Sequence, residues 1–477
     1  TGPVAWWEAH FSSDEGLDVM GGMFPGAPTV GVGFTTEHGW GATVNKPDLV
    51  DIYVLEINPE NENQYRLDGE WQDLEVRQVK IKFKVLGFIP WTVKREALRS
   101  AHGPAVRTDH GVYAIRYSGM DEMQQVEQWL AMNKAQNFEE WKAAIALNHI
   151  QSFNFVYANR HGDIHFIHNA RMPNRAAGWD WQAYLPGDRS DLIWSDYHPV
   201  SAMPQVTNPS SGFVHSANQT PFNISAQGSN PIESAAPAES GWQTRMTNRA
   251  TRGLELFAEF DQIDWDELWQ LKHDNSYSPN YRGMAFIDAV SELSPENDRE
   301  REAIKVLSEW DLGTDIDNRG AALGVCVLSA EWLSESGGTD LPEARGVLSD
   351  CIEEITDMTG QLDPTWGDVS RHGRDSSHWP VAGGPDTLRA IYSRRLEGDD
   401  FWTAVAGDGL YYIVRWLPDG SQKVLGTHQY GNDMTDSSSP HYLDQAEDYA
   451  REVLHEPLYT AASRTGRVSR RYTVSSM

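Results

Sequence analysis

Long apolar runs and cysteine are both scarce in this sequence of 477 residues. No apolar stretch approaches the roughly 20 residues that a membrane-crossing helix needs. No signal peptide opens the chain, which points to a mature piece, a fragment or a cytosolic protein. Two cysteines, Cys326 and Cys351, are too few for a disulfide scaffold or a zinc site. They could form one bridge, but both lie in segments with helical periodicity, so we expect buried thiols.

Basic residues are also few compared with acidic ones. The chain has 39 Lys and Arg against 69 Asp and Glu, a formal charge of −30. A surface this negative repels phosphate backbones and anionic lipid, so we expect no nucleic-acid partner and no membrane insertion. Disorder is excluded as well, because hydrophobic residues make up 40% of the chain and include 19 Trp, 17 Tyr and 15 Phe.

The short motifs of common hydrolases are missing too. The sequence contains no G-x-S-x-G, no S-x-x-K and no H-E-x-x-H. A segment beginning at Asp315 resembles a calcium loop, but Cys326 stands at its twelfth position in place of a glutamate, so an EF-hand is rejected. His161, His165 and His168 lie close together in sequence. On a strand the last two point to opposite faces, so we interpret all three as structural or surface histidines.

Strands are predicted at both ends of the chain, with helices between them. Asp121–Leu147 has helical periodicity, with Met123, Val126, Trp129 and Leu130 on one face, continued by Trp141 and Ala144. Residues 242–360 are helical almost throughout, and a last helix is expected near 444–454. Short β-branched or aromatic runs predict the strands Thr29–Phe34, Trp40–Val44, Asp51–Glu56, Val76–Val85, Ser152–Ala158, Asp163–His168, Trp402–Ala406 and Tyr411–Trp416. This order favours one sheet-based body whose first and last segments pair.

A series of sequence blocks then matches one protein family in order and spacing. The blocks are WWEAH (6–10), PGAP (25–28), GVGF (31–34), HGWGATV (38–44), DLVD (48–51), HGP (102–104), FNFVYANRHGDI (153–164), WDWQAYLPGD (179–188), NPSSGFVHSANQTPF (208–222), TRMTNRA (244–250), WGDVSRHG (366–373), PVAGGPDTLRA (380–390) and SSPHYLDQ (438–445). Along nearly its whole length the chain resembles the β chain of penicillin, cephalosporin and acyl-homoserine-lactone acylases, which are N-terminal-nucleophile amidohydrolases.

This resemblance implies an α/β fold, a four-layer αββα sandwich with a largely helical insertion. Residues 1–240 would form the first part of the core, with a helical excursion near 121–147. Residues 241–362 would be mainly helical, and residues 363–477 would complete the core. The family also implies an N-acyl amide as the small-molecule substrate, an α chain cut from the same precursor, and a periplasmic or secreted location.

The family's catalytic roles carry over to three residues. The oxyanion of the tetrahedral intermediate would be held by the backbone N–H of Val44 and the carboxamide of Asn218. Arg245 would orient Asn218 and the amine of the nucleophile. Two alternatives stay open: Asn218 begins an Asn-Gln-Thr sequon and could be a turn residue or a glycosylation acceptor, and Arg245 could form a surface salt bridge.

The nucleophile itself is expected outside this sequence. In the family, a Ser-Asn start precedes the block that resembles WWEAH by about two strands, and its own α-amine acts as the base. Here that block begins at Trp6. Thr1 is chemically able to act as a nucleophile, but it would fall far from Asn218. We therefore expect a serine upstream of Thr1, and we expect the chain alone to be inactive.

A calcium ion is also implied by the resemblance. Asp48, Val50 and Asp51 match the family's calcium-binding segment, and two carboxylates with one carbonyl are the hard oxygen ligands that calcium prefers. The other ligands would come from loops and from the α chain. The alternative is a solvated strand end. No organic cofactor is expected.

The substrate pocket is expected beside the strands that follow the nucleophile. Its candidate residues are Phe24, Ala27 and Val44, with Trp179 and Trp181 nearby. A small residue at Ala27 would leave room for an extended aliphatic chain. The sequence therefore favours acyl-homoserine lactones or acyl peptides over amides with a phenylacetyl group, and acyl-homoserine lactones are the first choice before penicillin- or cephalosporin-type substrates. The competing hypotheses are an inactive homologue that binds ligands or has a structural role, and a secreted calcium-binding β-rich protein.

Overall fold

A computed structural model describes residues 6–433, 435–471 and 473 of the chain. Thr1, the alternative nucleophile of the sequence analysis, lies outside the described residues. The strands are β1 (Trp7–Ser13), β2 (Leu17–Met23), β3 (Val32–Phe34), β4 (His38–Thr43), β5 (Val50–Leu55), β6 (Ile57–Asn58), β7 (Asn61–Leu67), β8 (Glu70–Asp73), β9 (Glu75–Val85), β10 (Ile89–Arg99), β11 (Pro104–Thr108), β12 (Gly111–Tyr117), β13 (Ser152–Asn159), β14 (Ile164–Ala170), β15 (Leu185–Pro186), β16 (Gln205–Thr207), β17 (Ser370–Arg374), β18 (Ser377–Pro380), β19 (Ile391–Arg395), β20 (Trp402–Gly407), β21 (Leu410–Trp416) and β22 (Gln422–His428).

The helices fall mostly in the middle of the chain, as the sequence predicts. They are α1 (Gln125–Lys134), α2 (Phe138–Ile145), α3 (Asn248–Glu259), α4 (Trp265–His273), α5 (Met284–Ser291), α6 (Asp298–Glu309), α7 (Ala321–Gly337), α8 (Ala344–Thr359), α9 (Trp366–Val369), α10 (Ala446–Ala450) and α11 (Ala461–Arg464). Helices α3 to α8 occupy the segment 241–362, although the three boundaries proposed from the sequence stay a prediction.

A seven-stranded sheet forms the centre of the molecule, in the order β1-β2-β3-β4-β13-β14-β16. Its hairpin β13–β14 confirms the predicted pair of strands. The carboxamide oxygen of Asn159 accepts hydrogen bonds from the N–H groups of His161 and Asp163, both at 2.9 Å. Gly162 has a φ of 92°, a left-handed conformation that costs glycine little. The turn residues therefore fix the register of this hairpin.

Helices α1 and α2 pack on one face of this sheet. Trp141 and Ala144 are buried against it, as predicted. The predicted face of α1 is confirmed only at Trp129, which packs against this core, because Met123 is 92% exposed and Val126 and Leu130 are exposed as well. The buried residues of α1 are Gln128, Met132 and Asn133. Two polar side chains on this face bond to backbone groups of neighbouring segments, and hydrophobic periodicity does not detect such residues.

Strands β21 and β22 pack on the opposite face of the seven-stranded sheet, where Val424 contacts Met20 and Phe34. Tyr411 of β21 also packs against the four-stranded sheet β18-β17-β20-β19. Helices α5 to α9 form the last layer and bury Trp402 of that sheet. The layers are therefore stacked in the order helices, sheet, sheet and helices. This arrangement confirms the α/β class. The first and last segments meet face to face, and no ladder joins them among the described residues.

A second, six-stranded sheet has the order β15-β5-β12-β11-β10-β9. Its edge is a long hairpin of β9 and β10, which we call the basic hairpin (residues 75–99). It carries seven Lys and Arg but only two acidic residues in a chain of formal charge −30. One face presents Lys80, Lys82, Lys84 and Lys94, and the other presents the exposed apolar side chains Val79, Ile81, Phe83 and Trp91. Lysine along an edge strand discourages pairing with other chains.

The two cysteines form a disulfide between α7 and α8, Cys326–Cys351. The expectation of free buried thiols is therefore wrong. The bond joins two helices that already pack against each other around Val325, Leu348 and Ile352. Helical periodicity placed each cysteine on a helix but gave no information on how the two helices face each other. None of the described helices is both long and apolar enough to span a membrane.

Candidate active site

Val44 lies at the rim of the seven-stranded sheet. It follows the last residue of β4, Thr43, which pairs with Asn154 of β13. On its other side β4 pairs with β3 only at Gly39 and Trp40, so the end of β4 extends beyond that ladder. The Val44 side chain is 62% exposed. Its peptide group therefore stands where a substrate can approach.

Asn218 meets Val44 across 174 residues of sequence. Its side-chain Nδ2 donates a hydrogen bond of 2.6 Å to the carbonyl oxygen of Val44. Asn218 has a φ of 64°, a left-handed conformation in which asparagine is several-fold enriched. A carboxamide nitrogen carries two N–H groups, so one remains to bind a ligand when the other is bonded to Val44.

Two hydrogen bonds join the loop that carries Asn218 to its surroundings, and a third lies within the loop. The hydroxyls of Thr43 and Ser216 lie 2.7 Å apart and join the loop to the end of β4. The N–H of Ala217 donates to the side-chain oxygen of Gln219 at 2.6 Å. The hydroxyl of Thr247, the N-cap of α3, donates to the carbonyl of Ala217 at 3.0 Å. These bonds hold the Asn218 side chain in one orientation.

Arg249, and not Arg245, contacts Asn218. A guanidinium nitrogen of Arg249 donates to the carboxamide oxygen of Asn218 at 3.0 Å. Its Nε donates to Asp386 at 2.9 Å, and Asp386 is only 2% exposed. Asp386 also accepts the N–H of Asn248 at 2.7 Å. The sequence prediction that Arg245 orients Asn218 is therefore wrong by one helical turn.

Arg245 forms the alternative interaction, a salt bridge. Its Nε lies 2.9 Å from Glu335, which also pairs with Arg282 at 3.3 Å. Only the carbonyl of Arg245 reaches the Asn218 loop, where it accepts the N–H of Thr220 at 2.8 Å. Arg245 lines a cleft of about 870 Å³ whose walls include Tyr281 and several charged side chains. Arg245 thus belongs to the wall of a cleft that combines charged and apolar side chains.

Phe24 and Ala27 lie at the same edge of the sheet as Val44. Strands β2 and β4 both pair antiparallel with β3, so their C-terminal ends meet at one edge. The registers place Phe24 two strands away from the end of β4, about 10 Å at ordinary strand spacing. Phe24 is 48% exposed, and its carbonyl accepts the N–H of Ala27 at 2.9 Å. The topology thus brings these three candidates to one edge.

The two tryptophans have different surroundings. Trp181 is 4% exposed, packs in the core of the six-stranded sheet, and donates its indole N–H to the carbonyl of Ala176 at 2.9 Å. It also lines a second cleft of about 340 Å³. The lining of this cleft includes Lys46, which lies two residues after Val44. Trp179 is half-buried beneath Arg189, 5.4 Å from ring centre to guanidinium. Trp181 therefore lies nearer than Trp179 to the chain segment that follows Val44.

The carboxylates of the expected calcium site form ion pairs with an arginine side chain of the chain itself. Arg175 has a fully buried side chain that lies 3.3 Å from Asp48 and 3.0 Å from Asp51. Burial raises the pKa of both carboxyl groups, and Arg175 opposes this shift. Two carboxylates against a buried guanidinium do not fit a calcium ion, because the ion would need the same oxygens. Arg175 carried no recognisable signal in the sequence.

Other metal sites are not found in the part of the chain that the structure describes, where no group of three His, Cys, Asp or Glu side chains could hold an ion. His165 bonds to Thr207 at 2.8 Å and packs on Phe138, whereas His168 packs on Trp242 from the opposite face. His161 is exposed near Glu37. The three histidines diverge, as expected from their spacing on a strand.

His215, in the loop before Asn218, is a neutral part of the scaffold. Burial, together with the positive charge of Arg249, lowers its pKa to about 4. The side chain packs against Gly253 of α3, where an added Cβ would lie 2.8 Å from the imidazole. A neutral imidazole next to Arg249 avoids repulsion between two cations in a buried place.

Two groups of this site were missed by sequence reasoning, Arg249 and Asp386. A signal for Arg249 exists, because Thr247 is a good N-cap residue and places Arg249 in the first turn of α3. Helical side chains point back toward the N-terminus, which here is the side of Asn218. Asp386 lies 137 residues further along the chain, inside the block PVAGGPDTLRA, but that block alone does not show that Asp386 contacts Arg249.

Several known proteins are similar to this chain in sequence. A profile of the penicillin amidase family matches residues 1–466. The acyl-homoserine lactone acylase PvdQ of Pseudomonas syringae pv. tomato is 21% identical over 94% of this chain and 65% of its own length. The penicillin G acylase of Escherichia coli is 25% identical over 62% of this chain and 34% of its own length. The chain thus spans less than two thirds of the length of these relatives.

The fold is shared with a solved structure. The thermostable penicillin G acylase from Alcaligenes faecalis aligns with a TM-score of 0.65 and 18% identity, covering 100% of this chain and 96% of that chain. A likeness at this identity concerns the fold, and the family assignment rests on the profile match along the chain. Fold, sequence profile and relatives together show that this chain belongs to the penicillin amidase family.

Proposed function

We propose that the whole protein is an acylase that hydrolyses the linear amide of an N-acyl substrate, and that this chain supplies its oxyanion-binding groups. The observation that carries the proposal is the meeting of Val44 and Asn218 at the exposed rim of the sheet, with a hydrogen bond of 2.6 Å between them. The names of the relatives support the reaction class, because they are acylases.

In the proposed mechanism a nucleophile attacks the amide carbonyl carbon, and the carbonyl oxygen becomes negatively charged. The N–H of Val44 and the second N–H of Asn218 donate hydrogen bonds to this oxygen. Such donors are fixed before the reaction, so they stabilise the developing charge without reorganisation. Arg249 polarises the carboxamide from the other side by donating to its oxygen at 3.0 Å. This contact makes Asn218 a better donor.

We propose a serine hydroxyl as the nucleophile and its own α-amine as the base. In the acylases that this chain resembles, the block matching WWEAH follows the Ser-Asn start, so the serine belongs to the part of the protein before Trp6. An α chain would complete the enzyme. On this proposal the chain alone has no acylase activity.

The proposed substrate is an acyl-homoserine lactone, with penicillin-type amides as the second choice. The PvdQ acylase carries this substrate in its name and covers most of the chain. Phe24, Ala27 and Val44 share one edge of the sheet, and the small side chain of Ala27 leaves room for an extended acyl chain. These residues would receive the acyl group, and the cleft beside Arg245, whose lining includes Glu255, Arg282 and Glu335, would receive the amine half.

We also propose a periplasmic or secreted location. The disulfide Cys326–Cys351 supports it, because structural disulfides persist mainly in oxidising compartments. The family resemblance did not predict this disulfide, because we expected buried thiols. The disulfide therefore supports the proposed location independently of the resemblance.

The test replaces Asn218 by alanine in the full-length protein. If Asn218 donates to the oxyanion, kcat falls about 10²–10³-fold, because one donor to the transition state is lost. Activity is measured as acid released from acyl-homoserine lactones of graded chain length and from penicillin G. Absence of acid from every substrate with the unaltered protein removes the proposed function.

Asn148→Ala is the matched control, because Asn148 also has a left-handed backbone, with a φ of 56°, but lies after α2. Both changes lose an asparagine from a conformation that alanine disfavours. The control variant keeps its activity if the effect at Asn218 is chemical. A loss below about fivefold for Asn218→Ala would refute its role in binding the oxyanion.

A further inference from the structure

We propose that the guanidinium of Arg175 takes the place of a calcium ion, so that the fold of this chain does not depend on calcium. The inference is independent of the proposed function, because it concerns how the segment after β4 is held. It starts from Asp48 and Asp51, the two carboxylates for which the sequence predicts a calcium ion.

Arg175 contacts both carboxylates from a fully buried position. Its Nη1 lies 3.3 Å from Asp48, its Nη2 lies 3.0 Å from Asp51, and its Nε donates to the other oxygen of Asp51 at 3.2 Å. The side chain of Asp51 is itself fully buried. A buried carboxylate needs a compensating charge, and the planar guanidinium supplies this charge together with directed donors.

The remaining contacts of Arg175 also resemble those of a structural ion. Nη1 donates to the backbone carbonyl of Glu239 at 3.1 Å, so the cation joins two carboxylates of one chain segment to a carbonyl of another. The indole N–H of Trp194 donates to Asp51 at 2.6 Å, and the ring of Trp181 lies 5.4 Å from the guanidinium. Carboxylate and carbonyl oxygens are the groups that calcium would otherwise bind.

A calcium ion and Arg175 exclude each other at this place. The oxygens Oδ2 of Asp48 and Oδ1 of Asp51 are buried, lack aligned hydrogen bonds, and lie in ion-pair contact with Arg175. These are the atoms that an ion would have to bind. An ion there would lie beside a buried positive charge, and the repulsion is strong where water cannot screen it.

The ion pairs of Arg175 with Asp48 and Asp51 lie where the chain passes from one sheet to the next. Asp48 lies four residues after Val44, and Asp51 is the second residue of β5. Between them runs the segment that leaves the seven-stranded sheet and enters the six-stranded sheet. Arg175 therefore fixes the direction in which the chain leaves the rim at Val44.

The first experiment uses the unaltered chain. We expect its unfolding temperature to be the same in millimolar calcium chloride and in EDTA. We also expect no terbium luminescence on excitation of tryptophan, although Trp194 and Trp181 lie close enough to transfer energy to an ion bound by Asp51. A stabilisation by calcium that EDTA reverses, with terbium bound in the same place, overturns the proposal.

The second experiment replaces Arg175 by alanine, which frees both carboxylates and leaves space between them. We expect the unfolding temperature to fall by several degrees, calcium to restore part of the loss, and terbium luminescence to appear. Failure of calcium to bind or to stabilise this variant overturns the proposal and makes Arg175 an ordinary ion-pair partner. If the alanine variant does not fold, Arg175→Gln allows the same measurements.

Arg389→Ala is the matched control. Arg389 is also fully buried and pairs with Asp408 at 3.2 Å and Glu452 at 3.4 Å. Lys272 stays 2.6 Å from Asp408 when Arg389 is removed, so a cation remains in that cluster. This variant is expected to lose stability without rescue by calcium. A similar rescue at both positions would mean that calcium acts on surface charge, which contradicts the proposal.

Discussion

At the scale of single residues, the TRMTNRA block contains two arginines, and the one that contacts Asn218 is not the one to which the sequence analysis gave that role. Arg249 donates to Asn218 at 3.0 Å and to Asp386 at 2.9 Å. Arg245 pairs with Glu335 on the wall of the neighbouring cleft. Only one of them can therefore affect the Asn218 carboxamide directly.

This difference predicts the effect of Arg249→Ala. The loss of a charged hydrogen bond of about 1.5–3 kcal/mol leaves the Asn218 carboxamide unsupported, so kcat falls about 10–100-fold in the full-length protein. The KM for an acyl-homoserine lactone changes less, because Arg249 acts through Asn218 and not on the substrate. Steady-state kinetics on a series of lactones measures both values.

Arg245→Ala serves as the comparison from the same block. It breaks the ion pair with Glu335, so KM rises while kcat stays within a few-fold of the original. If Arg245→Ala lowers kcat more than Arg249→Ala does, the hydrogen bond between Arg249 and Asn218 does not contribute to catalysis as we propose.

Sequence blocks predicted which loops meet at the site better than they predicted individual contacts. Val44 and Asn218 both lie in segments that the family motifs identify, and the structure brings these two segments together. The choice between Arg245 and Arg249 depends on where α3 begins, and the N-cap at Thr247 decides it. Arg175 could not be found from sequence, because its partners lie 124 and 127 residues away and no motif joins them.

At the scale of elements, helix α1 packs with a polar face. The carboxamide oxygen of Gln128 accepts the N–H groups of His149 and Ile150, both at 2.7 Å. Asn133 bonds to both backbone groups of Val30, accepting its N–H at 2.8 Å and donating to its carbonyl at 2.9 Å. These side chains replace the backbone partners that irregular segments lack.

We predict that Asn133→Leu destabilises the protein in spite of adding an apolar side chain to a buried face. Val30 is fully buried, so its N–H and carbonyl would lose their partners out of reach of water. Two such groups cost about 2–5 kcal/mol. The midpoint of urea unfolding, followed by tryptophan fluorescence, should move to a lower concentration.

Leu130→Asn is the reciprocal change on the same helix. Leu130 is 37% exposed, so an asparagine there stays hydrated and changes stability by less than about 1 kcal/mol. If Asn133→Leu stabilises the protein instead, the buried bonds to Val30 do not contribute as described.

At the scale of the whole molecule, several buried histidines link stability to pH. His38, His168 and His372 are fully buried. Burial lowers the pKa of His38 to about 4, and lowers those of His168 and His372 to about 3. An unfolded histidine has a pKa near 6.5, so below that pH the unfolded chain binds protons that the folded chain does not.

The sign of the effect follows from these shifts. Because the unfolded state binds more protons, stability is fully present above pH 6.5 and falls as the pH falls toward 4 and 3. Each such histidine costs on the order of 2 kcal/mol at pH 5. We expect the unfolding temperature to drop steadily between pH 7 and pH 5 in calorimetry. His168→Leu should flatten this slope, whereas the same change at the exposed His110 should leave it unaltered.

Local pattern in the sequence predicted strands, helices and their order, whereas the four layers were implied by the family resemblance. Local pattern did not predict how layers face each other. The disulfide depends on the contact between α7 and α8, and the buried face of α1 depends on backbone groups in two other segments. Both are contacts between different elements. The periodicity within one helix or strand therefore contains no information about them.

The basic hairpin makes the charge of the molecule strongly uneven. Seven positive side chains gather at one end of a sheet while the rest of the chain carries the excess of acid. The protein therefore has a large electric dipole moment in addition to its net charge. A negatively charged resin would hold it end-on through this hairpin in spite of its overall negative charge, and every bound molecule would have the same orientation.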